Sequence, residues 1–352
     1  MKKLIALMLL VAMVLPVLAA CGGTNNNSNS NSEATTTKPE LSVDEKTRLG
    51  IEQVMELKVN FVPGTNNGET SADLKKLTLT SSDSSVVKCN SEKGTITGVK
   101  LGTATVTITA NDPTTENGTV SVTTEVTVYD PLKGSSAAFF GDSICMASTW
   151  DKEHQWWGWA GRINEVYGLN KYKNAGVDGA SLSTCRGNNR IINYLNNVIK
   201  TGESYHYIVL HGGTNDGWDA VPIGTMSESY NPADFDTSTF AGGLEELFFT
   251  AKQNYPNSKI GYIINFRMTY NAGNLKDMTA YYTLAKEICK KWDIPYLDLH
   301  FDENFLRAFD YTDRTLLPDL CHPSSIAYEI LYQYVAKFMR QLEYGLDVKN
   351  QK

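Results

Sequence analysis

The feature that most restricts the fold is a regular alternation of short apolar runs and amphipathic stretches after Pro131. Apolar side chains also recur at helical spacing between and after these runs. Strand and helix alternating at this pitch predict an α/β fold, in which a parallel sheet carries helices on both faces. The predicted strands are residues 137–140, 172–175, 207–210, 260–264 and 296–299, and the predicted helices are residues 157–167, 189–199, 240–253, 278–291 and 325–342.

Polar or glycine-rich clusters follow the first three predicted strands, and a fourth precedes the last predicted helix. They are Gly141-Asp142-Ser143, the sequence NAGVDGA at 174–180, GGTND at 212–216 and DLCHP at 319–323. In open α/β sheets, functional groups collect outside the carboxyl ends of the strands. We therefore expect these clusters to meet at one edge of the sheet and to form a site there.

In order and spacing, the four clusters resemble the signature blocks of the SGNH/GDSL hydrolase superfamily, over residues 134–345. The resemblance implies a flavodoxin-like three-layer α/β/α sandwich and a serine esterase. By block position, Ser143 is the nucleophile, and Asp319 and His322 complete a catalytic triad. The backbone N–H groups of Ser143 and Gly179 and the side-chain amide of Asn215 would form the oxyanion hole.

The residue types suit this chemistry. A serine hydroxyl is a weak nucleophile unless a base removes its proton, and Asp319 is close enough in sequence to His322 to orient its imidazole. His300, which follows Asp298 at a strand end, is the alternative base. The chain has no GxSxG, HExxH, P-loop or GxGxxG motif, and no histidine or cysteine cluster has metal-ligand spacing. We therefore predict neither a metal nor a cofactor.

Residues 41–130 have a different pattern, rich in valine and threonine. Alternation with period two, as in TATVTITA at 103–110, predicts a small β-sandwich with antiparallel strands. The stretches SSDSSVV at 81–87 and GTITGVKLGTA at 94–104 resemble the bacterial immunoglobulin-like domain of group 2. That family is common in surface proteins as a spacer or adhesive module.

The N-terminus indicates export. Two lysines, an apolar run and small residues describe a secretory signal at residues 1–20, and Leu18-Ala19-Ala20-Cys21 resembles the bacterial lipobox. The resemblance implies that Cys21 carries a diacylglycerol anchor on the outer face of the cell membrane. An ordinary cleaved signal and an uncleaved anchor are the alternatives. Residues 21–40 contain almost no large apolar side chain, which predicts a flexible linker.

The charge balance bears on partners. The net charge of −7 would become −9 on removal of residues 1–20, because Lys2 and Lys3 leave without an acidic residue. An acidic chain argues against nucleic acid as a partner.

Trp150 and Trp218 lie on predicted loops at the catalytic edge. Their side chains either form a sugar-binding surface or pack in the core. We therefore expect an esterase that removes small acyl groups, above all acetyl, from carbohydrate; a lipase or lysophospholipase and a surface adhesin with an inert hydrolase domain are the alternatives.

Overall fold

The computed structural model describes residues 36–66, 69–70, 77–147, 158–269, 277–348 and 351. Cys21, Trp150 and the predicted signal lie outside these residues. Two units follow one another along the chain. The N-terminal unit is built from β-strands, and the C-terminal unit contains both strands and helices.

The N-terminal unit has a four-stranded sheet of order β2-β11-β10-β7 and a three-stranded sheet of order β3-β9-β8. Its longest strands, β10 and β11, pair along their length and bury the apolar half of the predicted alternation, including Val106 and Ile108. The strands are β1 Glu40–Ser42, β2 Lys46–Gly50, β3 Val54–Glu56, β4 Asn60–Val62, β5 Thr65–Asn66, β6 Glu69–Thr70, β7 Leu77–Ser81, β8 Val87–Asn90, β9 Thr95–Gly98, β10 Gly102–Asn111 and β11 Thr119–Tyr129.

Two details of this unit differ from the sequence-based expectation. Strand β2 pairs with β11 in parallel, so the larger sheet is mixed, although its remaining pairs are antiparallel. Thr37, inside the predicted flexible linker, forms an isolated bridge with Thr65. This bridge lies a few residues before the predicted end of the linker at residue 40.

The C-terminal unit is a five-stranded parallel sheet of order β13-β12-β14-β15-β16, with helices on both faces. This order places the second strand of the unit at one edge and the first beside it, as in flavodoxin-like folds. The strands are β12 Ser136–Gly141, β13 Lys171–Gly176, β14 Tyr207–His211, β15 Lys259–Ile264 and β16 Tyr296–Asp298.

Alternation along the strands sends neighbouring side chains to opposite faces. On β12, Ala138 and Phe140 pack with helices α3, α5 and α6 on one face, while Ala137 and Phe139 pack with α2, α7 and α8 on the other. Each face therefore has its own buried core. The helices are α1 Ser143–Met146, α2 Trp159–Tyr167, α3 Ile191–Ile199, α4 Thr214–Trp218, α5 Phe240–Asn254, α6 Thr279–Trp292, α7 Glu303–Ala308 and α8 Ser325–Tyr344. Among the described residues, no helix is long and apolar enough to cross a membrane.

The last helix of the C-terminal unit is joined to the N-terminal unit. Near its end, Arg340 donates to the carboxylate of Asp130 at 2.7 Å and lies 3.3 Å from that of Glu52. One turn later, the Tyr344 hydroxyl donates to the Ile51 carbonyl at 2.8 Å. Polar contacts on α8 therefore fasten the β-sheet unit to the edge of the α/β unit where the strands begin.

Candidate active site

Ser143 lies two residues after the end of β12, at the first position of the short helix α1. The buried carboxylate of Asp142 accepts from the backbone N–H of Ile144 at 3.0 Å and so caps this helix. The first N–H groups of a helix have no acceptor within it. The backbone N–H of Ser143, at the first helical position, therefore has no acceptor within α1.

Helix α1 is held from two sides. The Asn174 amide at the end of β13 donates to the Cys145 carbonyl at 2.9 Å, and the Tyr328 hydroxyl on α8 donates to the Ile144 carbonyl at 3.0 Å. Gly176 gives α1 room, because a Cβ at that position would lie 2.4 Å from the backbone nitrogen of Met146. These contacts fix the position of the serine that α1 carries.

Asp319 and His322 lie in the turn that leads into α8. Asp319 Oδ1 accepts from the backbone N–H groups of Cys321 and His322, at 3.0 and 2.7 Å, and its Oδ2 lies 2.7 Å from His322 Nδ1. Leu320 takes a left-handed conformation, with φ of 65°, which lets the chain turn back within three residues. The predicted spacing therefore brings the carboxylate to the imidazole.

The other nitrogen of the imidazole faces the serine. His322 Nε2 lies 3.0 Å from Ser143 Oγ. The carboxylate, the imidazole and the hydroxyl thus form one continuous chain of hydrogen bonds at the carboxyl edge of the sheet, in the geometry that a nucleophile and its base require.

Within this chain of hydrogen bonds, Asp319 and His322 each stabilise the charged form of the other. Burial alone would raise the pKa of Asp319, but the hydrogen bonds from His322 and Cys321 lower it to about 2. Burial likewise opposes a charge on His322, yet the hydrogen bond and negative charge of Asp319 outweigh it, and the pKa of His322 is raised above its ordinary value. Asp319 is therefore ionised at neutral pH and favours a proton on His322.

The alternative base lies in a different environment. His300 is buried between the rings of Tyr282 and Phe301, with centroids 5.0 and 4.7 Å away. Burial and the charge of Arg267 lower the pKa of His300 to about 4. Asp298, its expected partner, forms an ion pair with Lys286 at 2.6 Å through Oδ2, while its Oδ1 accepts from the backbone N–H of His300 at 3.0 Å. This arrangement disfavours His300 as the base.

The two further donors predicted for the oxyanion hole lie on neighbouring segments. Gly179 is in the turn after β13, and Asn215 is in α4, directly after β14. The Asn215 amide nitrogen donates to the Ala180 carbonyl at 2.9 Å, which joins the two segments. Because an amide nitrogen carries two hydrogens, one N–H can make this bond while the other is available to a ligand.

Trp218, one of the two tryptophans singled out from the sequence, ends α4 and is 41% exposed. Trp159, at the start of α2, is buried in the core beside Phe139. Trp150 lies outside the described residues. The described cysteines are free thiols, and Cys145 and Cys321, next to the site, are buried.

The sequence reasoning missed Asp216, whose buried carboxylate accepts from the backbone N–H groups of Leu182 and Ser183 at 2.9 Å each. The position of Asp216 within the GGTND cluster gave no sign of this role.

A three-layer α/β unit with serine, histidine and aspartate joined at its strand ends is an arrangement typical of serine-type ester hydrolases. The sequence profile of the GDSL-like lipase/acylhydrolase family matches residues 139–330, more than half of the chain. The protein belongs to this family of ester hydrolases. The profile of the bacterial Ig-like domain, group 2, matches residues 54–126, so an Ig-like domain precedes the hydrolase domain.

Solved structures of low sequence identity are similar to part of this chain. A protein from Lactobacillus plantarum is 18% identical, with a TM-score of 0.49, and the match covers 61% of this chain and 99% of that one. The lipase/acylhydrolase from Enterococcus faecalis is also 18% identical, with a TM-score of 0.39 and coverage of 58% and 94%. A mutant of an acetyl-xylooligosaccharide esterase from Geobacillus Stearmophilus is 16% identical, with a TM-score of 0.39 and coverage of 61% and 96%. A search of curated protein sequences found no match.

Proposed function

We propose that the protein hydrolyses small acyl esters through an acyl-enzyme on Ser143, with His322 as general base and Asp319 as the group that orients it. The observation that carries this proposal is the continuous hydrogen-bond chain from Asp319 Oδ2 through His322 to Ser143 Oγ, with contacts of 2.7 and 3.0 Å. A hydroxyl so placed loses its proton to the imidazole as it attacks.

The reaction has two halves. Ser143 Oγ bonds to the ester carbonyl carbon while its proton moves to His322 Nε2, and the carbonyl oxygen becomes an anion. The N–H groups of Ser143, Gly179 and Asn215 stabilise this anion. The bond to the alcohol oxygen then breaks, and His322 gives its proton to that oxygen. A water molecule, deprotonated by His322, attacks the acyl-enzyme and releases the acid by the same steps in reverse.

The proposed substrate is an acetylated carbohydrate. Trp218 is a large exposed aromatic side chain on the helix that carries Asn215, where its ring could stack on a sugar. The Ig-like domain, a module common in surface proteins, favours a substrate outside the cell. A lipase would instead need an apolar channel for a long acyl chain, and an adhesin would need no turnover at all.

One assay separates these functions. We expect the purified protein to hydrolyse p-nitrophenyl acetate faster than the butyrate, octanoate and palmitate esters, and to retain this activity in EDTA. Ser143→Ala should abolish turnover without changing the melting temperature. Preference for the long-chain esters would indicate a lipase, and absence of turnover for every ester would indicate an inert domain.

We also propose that the enzyme is a lipoprotein on the outer face of the cell membrane, attached through Cys21. The support is the lipobox-like sequence and the polar segment that follows it. Buried acyl chains contribute about 0.8 kcal/mol per CH₂ to membrane binding, so two chains form a stable anchor. Cys21→Ala should therefore move the protein from the detergent phase to the aqueous phase on partitioning, with unchanged esterase activity. A Cys21→Ala protein that stays in the detergent phase would show another mode of attachment.

A further inference from the structure

The N–H group of Gly179 belongs to a tight turn. Ala180 N–H donates to the Val177 carbonyl at 3.1 Å, and Gly179, at the third position, has φ of 69°. Asp178, at the second position, is not among the residues with positive φ. These features define a type II turn, in which the peptide between the second and third residues is turned over relative to type I. The direction of the Gly179 N–H therefore depends on the orientation of one peptide plane.

A side chain from outside the turn holds this plane. The Asn189 amide nitrogen donates to the Asp178 carbonyl at 3.0 Å. In a planar trans peptide the C=O and the following N–H point in opposite directions, so a bond that fixes the Asp178 oxygen also fixes the Gly179 N–H. The Tyr194 hydroxyl donates to the other end of the Asn189 amide at 2.9 Å, which sets its orientation.

A second side chain holds the next plane. Arg186 Nη1 donates to the Gly179 carbonyl at 3.2 Å, while its Nε and Nη2 donate to the two oxygens of Asp219 at 2.6 and 2.9 Å. Asp219 caps the end of α4, the helix that contains Asn215. Arg186 thus connects the Gly179 turn to the element that carries another predicted oxyanion donor.

Both side chains pack directly against Gly179. A Cβ at this position would lie 3.0 Å from Arg186 Nη1 and 3.4 Å from Asn189 Nδ2. Glycine is therefore required by the positive φ and also leaves the space that the two side chains occupy.

We propose that Asn189 and Arg186 are positioning residues that hold the peptide planes on either side of Gly179, so that its N–H is aimed at the oxyanion of the tetrahedral intermediate. This inference rests on the proposed function, because it assigns the two residues to the same catalytic site. They act through Gly179 and do not touch the reacting atoms.

The test compares two asparagines that make the same kind of bond. Asn193 donates to the Asn188 carbonyl at 2.8 Å and does not bind the Gly179 turn, which makes Asn193→Ala a matched control. Asn189→Ala and Asn189→Asp both remove the donor to Asp178. We expect each to lower kcat by about 10-fold to 100-fold with KM within a few-fold, because a misplaced group weakens the transition state. The Ki of a trifluoromethyl ketone, which forms an oxyanion on the serine, should rise by a similar factor.

Arg186→Ala should have the same kind of effect. Its control is Lys171→Ala. Lys171 lies at the start of β13, away from the site, and the substitution removes its surface ion pair with Glu203. Wild-type kcat in Asn189→Ala, or an equal loss in Asn193→Ala, would overturn the positioning role. Loss of activity in Asn189→Ala with an unchanged Ki would also overturn it, because the oxyanion would then be held as before. Retention of activity in Ser143→Ala would instead contradict the proposed function.

Discussion

Asn215 links two segments of the site through its bond to the Ala180 carbonyl, and its remaining N–H is assigned to the oxyanion. Removal of one such donor typically lowers kcat by about 10²–10³-fold. We expect Asn215→Ala to show this loss with KM within a few-fold, measured on p-nitrophenyl acetate, because the interaction belongs to the transition state. A variant that melts at a lower temperature but keeps near-normal kcat would restrict Asn215 to the structural bond with Ala180.

His322 and Asp319 together predict the pH dependence. The base must be unprotonated at Nε2 to accept the serine proton, and the pKa of His322 is raised. The acid limb of kcat/KM should therefore have its midpoint above pH 6.5, the ordinary value for histidine. Asp319→Asn removes the negative charge, so burial should dominate and move the midpoint below pH 6.5.

The same substitution should also lower kcat, by up to roughly 10⁴-fold, because the imidazole loses the partner that sets its tautomer. The residual activity is measurable with an activated ester across pH 5–8. A midpoint that does not move in Asp319→Asn would show that another group raises the pKa of His322.

The residues of the proposed triad and oxyanion hole lie in sequence motifs and could be predicted. The role of Asp216 in the GGTND motif and the roles of residues outside the motifs could not. The spacing of Asp319 and His322 predicted their contact, because a carboxylate can reach an imidazole three residues later in the chain. Asn189 and Arg186 are ordinary polar residues in a loop, and only the folded turn shows that they bind the carbonyls on either side of Gly179. The pairing of Asp298 with Lys286 was also hidden, since it depends on how α6 packs beside β16.

At the scale of elements, the segment after β13 is fastened to α4 by Asp216. Its carboxylate accepts two backbone N–H groups, from Leu182 and Ser183. Asp216→Ala would leave both donors buried without this acceptor, at a cost of about 1–3 kcal/mol each. We expect the free energy of unfolding in urea to fall accordingly, and Asp234→Ala, on an exposed helical turn, to leave it nearly unchanged. Equal stability of the two variants would contradict this role for Asp216.

The long elements were predictable from periodicity, and their ends agree within two residues. Helix α8, for example, begins at Ser325 as predicted and ends at Tyr344 rather than at residue 342. The short helices α1, α4 and α7 were not predicted, because four to six residues are too few to display a helical repeat. Their positions are set by tertiary contacts, such as the Asn174 bond to the Cys145 carbonyl.

At the scale of the molecule, the packing of the hydrolase domain extends past the limits predicted for it. Leu132 and Val348, just outside residues 134–345, are buried in the two cores of the sheet. Asp130 forms the ion pair with Arg340. No repeat or motif marks these contacts, since they depend on how segments distant in the sequence pack together.

A truncated chain that begins at Asp130 should therefore be more stable than one that begins at residue 134. Burial of a leucine contributes about 1.5–3 kcal/mol, and its loss from a domain of this size should lower the melting temperature by about 3–12 °C. We expect equal kcat for the two chains, because the truncated segment contacts α8 far from the site. The first residue of α8 is beside the site, and Arg340 lies about 22 Å further along the helix. Equal melting temperatures would contradict the contribution of Leu132, and inactivity of both chains would show that the Ig-like domain contributes to catalysis.

Ser143 Oγ and His322 Nε2, which share one hydrogen bond, are 179 residues apart in the chain. A ribosome that has reached residue 318 has therefore made the serine and all five strands, but not yet its base. Until the C-terminal helix is synthesised and docks on the sheet, the nascent polypeptide has no activated nucleophile. Under the proposed mechanism, esterase activity therefore reports that synthesis has passed this helix, and a proteolytic cut between Ser143 and the helix that releases it would abolish activity.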